Sequence, residues 1–357
     1  MKYRTSVLLS ADAITAGTKT LDITVKDVIS RIHIQVKATN NGNTPTAHPA
    51  AIISKIEIVD GSDVIYSLSG AQAQALEFYD TKRTPFCVNN YLNTVMNITN
   101  YQLRFGRHLW DPILALDPTK FRNPQLKITH NYAAGGCTPN AATLEVVLDL
   151  FDEKEVKPIG FLMNKELMSY TLSGSANEYV DLPTDYKLRK LLIFSLTTGK
   201  QPWEQFNELK LSEDNDKRVP FNDKTSDLIK YLGDNYPNLD EYIVGEALTS
   251  TRPFFTMSTY EVIAAAMAAD FTGAYITSDL SYGGTIDIRA SGTTNFMAKI
   301  RGQMPHGALC IPFGLQDDLE DWYDVTALGS LILTIKAGSS PTADSTCQIV
   351  TQQLRPY

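Results

Sequence analysis

The chain has 357 residues, 43% of them hydrophobic and 20% charged, with a net charge of −8 and a pI near 5.2. That length suits about two domains with cores of their own, and that balance of apolar and charged residues excludes wholesale disorder. The densest basic spot is only Lys187, Arg189 and Lys190, so direct nucleic-acid binding is not expected: coating a phosphate backbone takes clustered cations that displace its counterions.

In chain order, the first segment holds an apolar core, Val7-Leu-Leu9, that is too short for a secretory signal and is interrupted at Asp12. It reads as a first β-strand over residues 5–10. Leu21-Asp-Ile23-Thr-Val25 alternates with period two, as do residues 52–59, Leu126-Lys-Ile128-Thr, Thr285-Ile-Asp-Ile-Arg and Leu331-Ile-Leu-Thr-Ile335. β-Branched and aromatic residues fill these stretches, which is the pattern of half-buried strands. Turn residues separate them: Asn40-Asn-Gly-Asn, Asp60-Gly61, Gly135-Gly136, Gly283-Gly284 and Ser291-Gly292. Helical signal is scarce. Ser69 caps one candidate helix over residues 70–79, and Thr225 or Ser226 caps another that stops at Gly233. Residues 260–270 fit either a third helix or a buried strand. The longest apolar run, residues 262–269, is about half the length of a membrane-spanning helix or less, so a protein that stays soluble where it is made is expected.

The same strand-rich pattern occurs twice. Ile29-Ser-Arg-Ile32-His-Ile34 and Ile53-Ser-Lys-Ile56-Glu-Ile58 correspond to Leu188-Arg-Lys-Leu191-Leu-Ile193 and Phe206-Asn-Glu-Leu209-Lys-Leu211. Further on, Asp117, Phe121, Leu126 and Ile128 fall opposite Asp324, Leu328, Leu333 and Ile335 at a constant offset of 207 positions. The two candidate helices occupy equivalent places. A repeat at domain length means duplication and fusion. The polar stretch from Asp152 to Gly160 reads as the linker, giving a first unit over residues 1–155 and a second over 156–357. Extra sequence in the second unit, around residues 236–304, is expected to form inserted loops at one end.

Little in the chain points to chemistry. His33, His48, His108, His130 and His306 show no metal-ligand spacing, and neither GxSxG, GxGxxG nor a phosphate-cradling loop is present. Cys87, Cys137, Cys310 and Cys347 lie far apart without zinc-site spacing and read as thiols of a reducing compartment. Two acidic groups, Glu213-Asp-Asn-Asp216 with Asp223 and Asp317-Asp-Leu-Glu-Asp-Trp-Tyr-Asp324, offer loop carboxylates for Ca²⁺ or for acid–base work. Neither has EF-hand spacing, and solvated turns are the simpler reading. Trp110, Trp203 and Trp322 are scattered rather than set at strand spacing, which favours core or interface aromatics over a sugar platform. Asn97-Ile-Thr99 is a formal glycosylation sequon, expected to be unused. No catalytic, cofactor or metal residue is assigned.

Two fused β-sandwiches, each with a short helix in a loop, resemble the double jelly-roll major capsid proteins of tailless icosahedral viruses, the lineage of adenovirus and the membrane-containing bacteriophages. The segments Leu103-Arg-Phe-Gly-Arg-His-Leu-Trp-Asp-Pro112, Leu116-Asp117 and Phe121-Arg-Asn-Pro-Gln-Leu126 are similar to the late part of the first roll in phage members. Leu309-Cys-Ile-Pro-Phe-Gly314, Asp324 and residues 331–335 are similar to its counterpart in the second. The resemblance implies an all-β chain of two tandem eight-stranded jelly rolls without enzymatic activity, assembling as a homotrimer. Its six barrels would form a pseudo-hexameric capsomer that tiles a shell. The implied setting is the virion, after synthesis in the host cytoplasm. Neighbouring capsomers, penton and minor capsid proteins are the implied partners. Lys2 and Arg4 beside Val7, Leu8 and Leu9 could in addition touch an internal viral membrane. Two alternatives remain: a double-sandwich glycan-processing hydrolase, which needs acidic residues and a Trp converging in a cleft, and a carbohydrate- or receptor-binding β-protein.

Overall fold

The structure is a computed structural model that describes residues 2–152, 156–250, 252–268, 274–276, 283–339, 341 and 345–357. Residues 153–155 of the expected linker lie outside the described residues, as do residues 269–270.

In the first half the chain forms β1 (Tyr3–Ile14), β2 (Ala16–Asp22), β3 (Ile29–Thr39), β4 (Ile53–Asp60), β5 (Asp63–Leu68) and helix α1 (Gly70–Thr81). The short β6 (Cys87–Asn90), β7 (Met96–Arg104), β8 (Pro124–Asn131) and β9 (Ala141–Phe151) follow. Their hydrogen bonds give the orders β1-β9-β3-β7-β6 and β2-β8-β4-β5. Alternation makes each strand two-faced. Ile32, Ile34 and Val36 of β3 point inward with Leu144, Val146 and Leu148 of β9. They share one core with Ile56 and Ile58 of β4 and Leu126 and Ile128 of β8. Partners within a sheet are distant in sequence, as in β1 against β9, and this wiring defines a jelly roll.

The second half repeats the wiring. β10 (Gly160–Thr171), β11 (Asn177–Asp181), β12 (Leu188–Phe194), a single-turn α2 (Pro202–Gln205), β13 (Phe206–Glu213), β14 (Arg218–Lys224) and α3 (Thr225–Gly233) come first. After the inserted segment come β21 (Ala308–Pro312), β22 (Leu331–Ala337) and β23 (Thr346–Pro356). The orders β10-β23-β12-β21 and β11-β22-β13-β14 match those of the first roll strand for strand. The sequence repeat is thereby given its structural meaning: β3 answers to β12, β4 to β13, β8 to β22, and α1 to α3.

Between α3 and β21 the inserted segment forms β15 (Leu239–Ala247), β16 (Pro253–Phe255), β17 (Tyr260–Ala268), β18 (Ala274–Ile276), β19 (Thr285–Asp287) and β20 (Thr294–Gln303). Residues 260–268 are thus a strand and not a third helix. Ala264 and Ala266 are buried with Phe296 and Ala298 in a small separate core, where compact side chains let β17 lie close. β15 also pairs in parallel with β6, so this segment extends the sheet of the first roll to nine strands. The four cysteines are free thiols. Asn97 is buried, with its amide oxygen 2.7 Å from the Asn90 nitrogen, so the sequon is sequestered in the fold.

Candidate functional site at the seam between the rolls

β12 explains the seam. Leu191 and Ile193 face the core of the second roll, while Leu192 and Phe194 belong to the core that continues from the first. A strand covered on both faces reads as a continuous apolar run rather than an alternation, and all seven residues of β12 are buried. The basic pair Arg189 and Lys190 is buried with them, only 2% and 1% exposed. Sequence reading identified this basic spot and missed its counter-charge, because Asp80 lies 110 residues away from Lys190 at the end of α1.

Asp80 accepts from Arg189 Nη1 at 2.7 Å, from Gln352 Nε2 at 3.1 Å, and from Lys190 Nζ. Lys190 also donates to the Tyr79 carbonyl at 3.1 Å, and the Arg189 guanidinium lies 5.5 Å from the centre of the Trp322 ring. Burial alone would push the Asp80 carboxyl up, but the adjacent Lys190 and Arg189 cations hold it at about 2. A carboxylate from one roll and two cations from the other therefore fix the register of the seam. Removing Asp80 would leave two buried cations uncompensated.

α1 is wedged at this seam. Ser69 Oγ accepts from the Gln72 nitrogen at 3.2 Å, and the Gln72 side chain accepts from the Ser69 nitrogen at 2.8 Å, closing a capping box. Gly70 is required at the first position: a Cβ there would stand 2.7 Å from the Ala50 carbonyl and from the Tyr101 ring. Along the helix, Tyr79 donates to the Ala308 carbonyl of β21 at 2.6 Å. Below it, β5 and β10 pair in parallel, Tyr66 with Asn164 and Ser67 with Lys165, so one eight-stranded sheet runs through both rolls.

A second polar cluster lies where the inserted segment meets the first roll. His306 Nε2 is 2.9 Å from Gln74 Oε1, and its ring packs edge-on against His48 at 4.9 Å. Asn89 lies between His48 Nε2 at 3.3 Å and Glu241 Oε2 at 3.2 Å, and Glu241 accepts from the backbone nitrogens of Met257 and Ser258 at 3.1 Å each. Burial holds the His306 ring down at about 3 and the His48 ring well below the usual histidine range, and it pushes the Glu241 carboxyl up.

Most of the loop carboxylates build turns or ion pairs. Glu213 is paired with Arg218 at 2.8 Å and accepts from the Tyr323 hydroxyl. Asp214 accepts from the nitrogens of Gly329 and Ser330, and Asp216 pairs with Lys210. Asp321 accepts from the Leu315 nitrogen at 2.6 Å. Among the described residues no three His, Cys, Asp or Glu side chains gather as a metal site. The three tryptophans do not converge: Trp110 stacks on Tyr3, Trp203 meets Tyr260, and Trp322 lies under Arg189.

No family model matches the sequence, and no curated protein does. Solved structures do match in fold. The major capsid protein of Sulfolobus Turreted Icosahedral Virus superposes with a TM-score of 0.61 at 11% identity, covering 99% of this chain and 97% of that one. The major capsid protein of bacteriophage PM2 gives 0.56 at 10% identity, covering 99% and 98%. The capsid of PBCV-1 gives 0.56 at 12%, covering 99% and 93%. The chain therefore has the double jelly-roll fold that these viral shell proteins share.

Proposed function

We propose that the chain is a viral major capsid protein, with residues 1–155 and 156–357 as its two rolls, and that three copies form a pseudo-hexameric capsomer of an icosahedral shell. The observation that carries this reading is the fixed pairing of two equivalent rolls: six similar barrels around a three-fold axis present a near-hexagonal base, while the chain needs only three-fold symmetry. Neighbouring capsomers, penton and minor capsid proteins are then its partners, within the virion. Contact of the N-terminal segment with an internal viral membrane belongs to the same proposal. There Val7 is 59% exposed, whereas Arg4 is tied to Asp27 and Asp152. A hydrolase would need its carboxylates free in a cleft, and the bonds of Glu213, Asp214, Asp216 and Asp321 argue against that use.

The test is the native mass of the purified protein by light scattering during size exclusion, with negative-stain images of the same peak. A particle near three times 39.6 kDa with a hexagonal outline is expected. A monodisperse monomer would overturn the proposal.

A further inference from the structure

The outward faces of the two rolls differ in kind. On β11-β22-β13-β14 the outward side chains are mostly polar, with cross-strand pairs such as Lys336 with Glu208 at 3.0 Å, and Tyr179 stands exposed among them. The nine-stranded sheet is polar outward on β3 and β9, where Arg31 pairs with Asp149, and becomes more apolar from β7 to β17. Its registers place Val88 beside Ile98, Val244 beside Met297 and Met297 beside Met267, while Lys299 stands between Tyr242 and Ala265, so the apolar outward residues of β7, β6, β15, β20 and β17 form a band interrupted by Lys299 and the Asp240–Arg301 pair. Phe86 is 54% exposed, Val88 38%, Tyr242 58%, Ile263 62%, Met267 45% and Met297 55%. At about 150–200 Å² for each fully exposed side chain, these six alone present roughly 550 Å². That is near the upper end of the largest apolar patch on a typical monomer, about 600 Å². With Met96, Ile98 and Val244 in the same rows, the band approaches the roughly 800 Å² that one partner gives to a stable interface.

Resting on the capsomer reading, we infer that this band is the face by which one copy of the chain docks against the next in the trimer. Its composition fits a protein partner: Phe, Tyr, Met and Arg are the residues enriched where proteins meet. Arg301 lies within the band and is held by Asp240 through two bonds, at 2.9 and 3.0 Å. A neighbouring chain can accommodate such a fixed polar pair, whereas hydrocarbon cannot solvate it. Closed three-fold symmetry makes the contact head-to-tail, so the band meets a different surface of the neighbour and not its own copy.

The test compares wild type with Met297→Glu and Tyr242→Glu, each by light scattering, with far-UV circular dichroism of the same fractions. The expected result is a wild-type trimer and folded variants at monomer mass, their assembly weakened at least 100-fold. A variant that stays trimeric beside a trimeric wild type overturns the band assignment and leaves the capsomer reading standing. A monomeric wild type overturns the capsomer reading itself. Anionic vesicles that bind the wild-type trimer but not a trimeric variant would assign the band to lipid, again overturning the inference. Should the charged variants fail to fold, Met297→Cys keeps the question open to measurement. Its thiol should react with a maleimide at least tenfold more slowly in the trimer than in subunits dissociated by dilution, and equal rates would overturn the inference.

Discussion

At the scale of single residues, the junction of the inserted segment with the first roll is held by groups whose charge state depends on burial. His48 and His306 are kept neutral within the fold, while in the unfolded chain each protonates near pH 6.5. Between about pH 6.5 and the folded value near 3 for His306, the unfolded state binds more protons, so stability rises with pH across that window and is lost on acidification. Each histidine contributes a slope of up to about 1.4 kcal/mol per pH unit there. Two carboxyls raised by burial oppose them: Glu77, pushed up to about 8, and Glu241, each of which takes up its proton in the folded state before the unfolded chain does. Urea unfolding at pH 7.0, 6.0 and 5.0 reads the balance of these opposing contributions. His306→Asn, which tolerates the left-handed backbone at that position, should lower the slope of stability against pH by about one proton's worth relative to the wild type. An unchanged slope would mean that His306 is not buried neutral.

At the scale of elements, duplication is preserved down to individual hydrogen bonds. Asp117 Oδ1 accepts from the nitrogen and hydroxyl of Thr119 at 3.0 and 2.7 Å, and Asp324 Oδ1 accepts from the same groups of Thr326 at 3.1 and 2.6 Å. Just before each turn the chain bridges to the start of the equivalent strand, Leu116 to Ile29 and Tyr323 to Leu188. Asp117→Ala and Asp324→Ala should thus cost similar amounts, about 1 kcal/mol each, and add in the double variant, since the turns are separate sites. Denaturation midpoints of the three variants would test this, and a neutral change at one site beside a large loss at the other would refute the equivalence. These elements were legible because half-buried strands alternate and turn residues keep their spacing. The strand over residues 260–268 was ambiguous because alanine satisfies helix and tight strand alike. The partners of Arg189 and Lys190 were invisible because no local pattern connects them with Asp80. The parallel joins of β5 to β10 and β6 to β15 involve two residue pairs each, too little to leave a periodic mark.

At the scale of the whole molecule, those short joins make two rolls into one body. The sheet passes from one roll to the other, the ion cluster spans the seam, and the core of the first roll includes Leu192, Phe194 and Val350 from the second. Unfolding should accordingly appear in calorimetry as one heat-absorption peak with matching calorimetric and van't Hoff enthalpies. Two resolved peaks would show that the rolls are energetically independent. In the proposed capsomer, joins of this kind would keep the angle between successive barrels constant, which a flat facet requires.

The long-range pairing of β1 also governs how the molecule is made. Tyr3 waits for Phe151, and at ordinary rates of translation that interval is on the order of ten seconds. During it the nascent chain displays an open strand edge and the apolar inner faces of β1 and β3, the features that drive aggregation. Sheltering that edge until β9 emerges is therefore a condition for folding the first roll at all, set by the order of synthesis and not by the stability of the finished molecule.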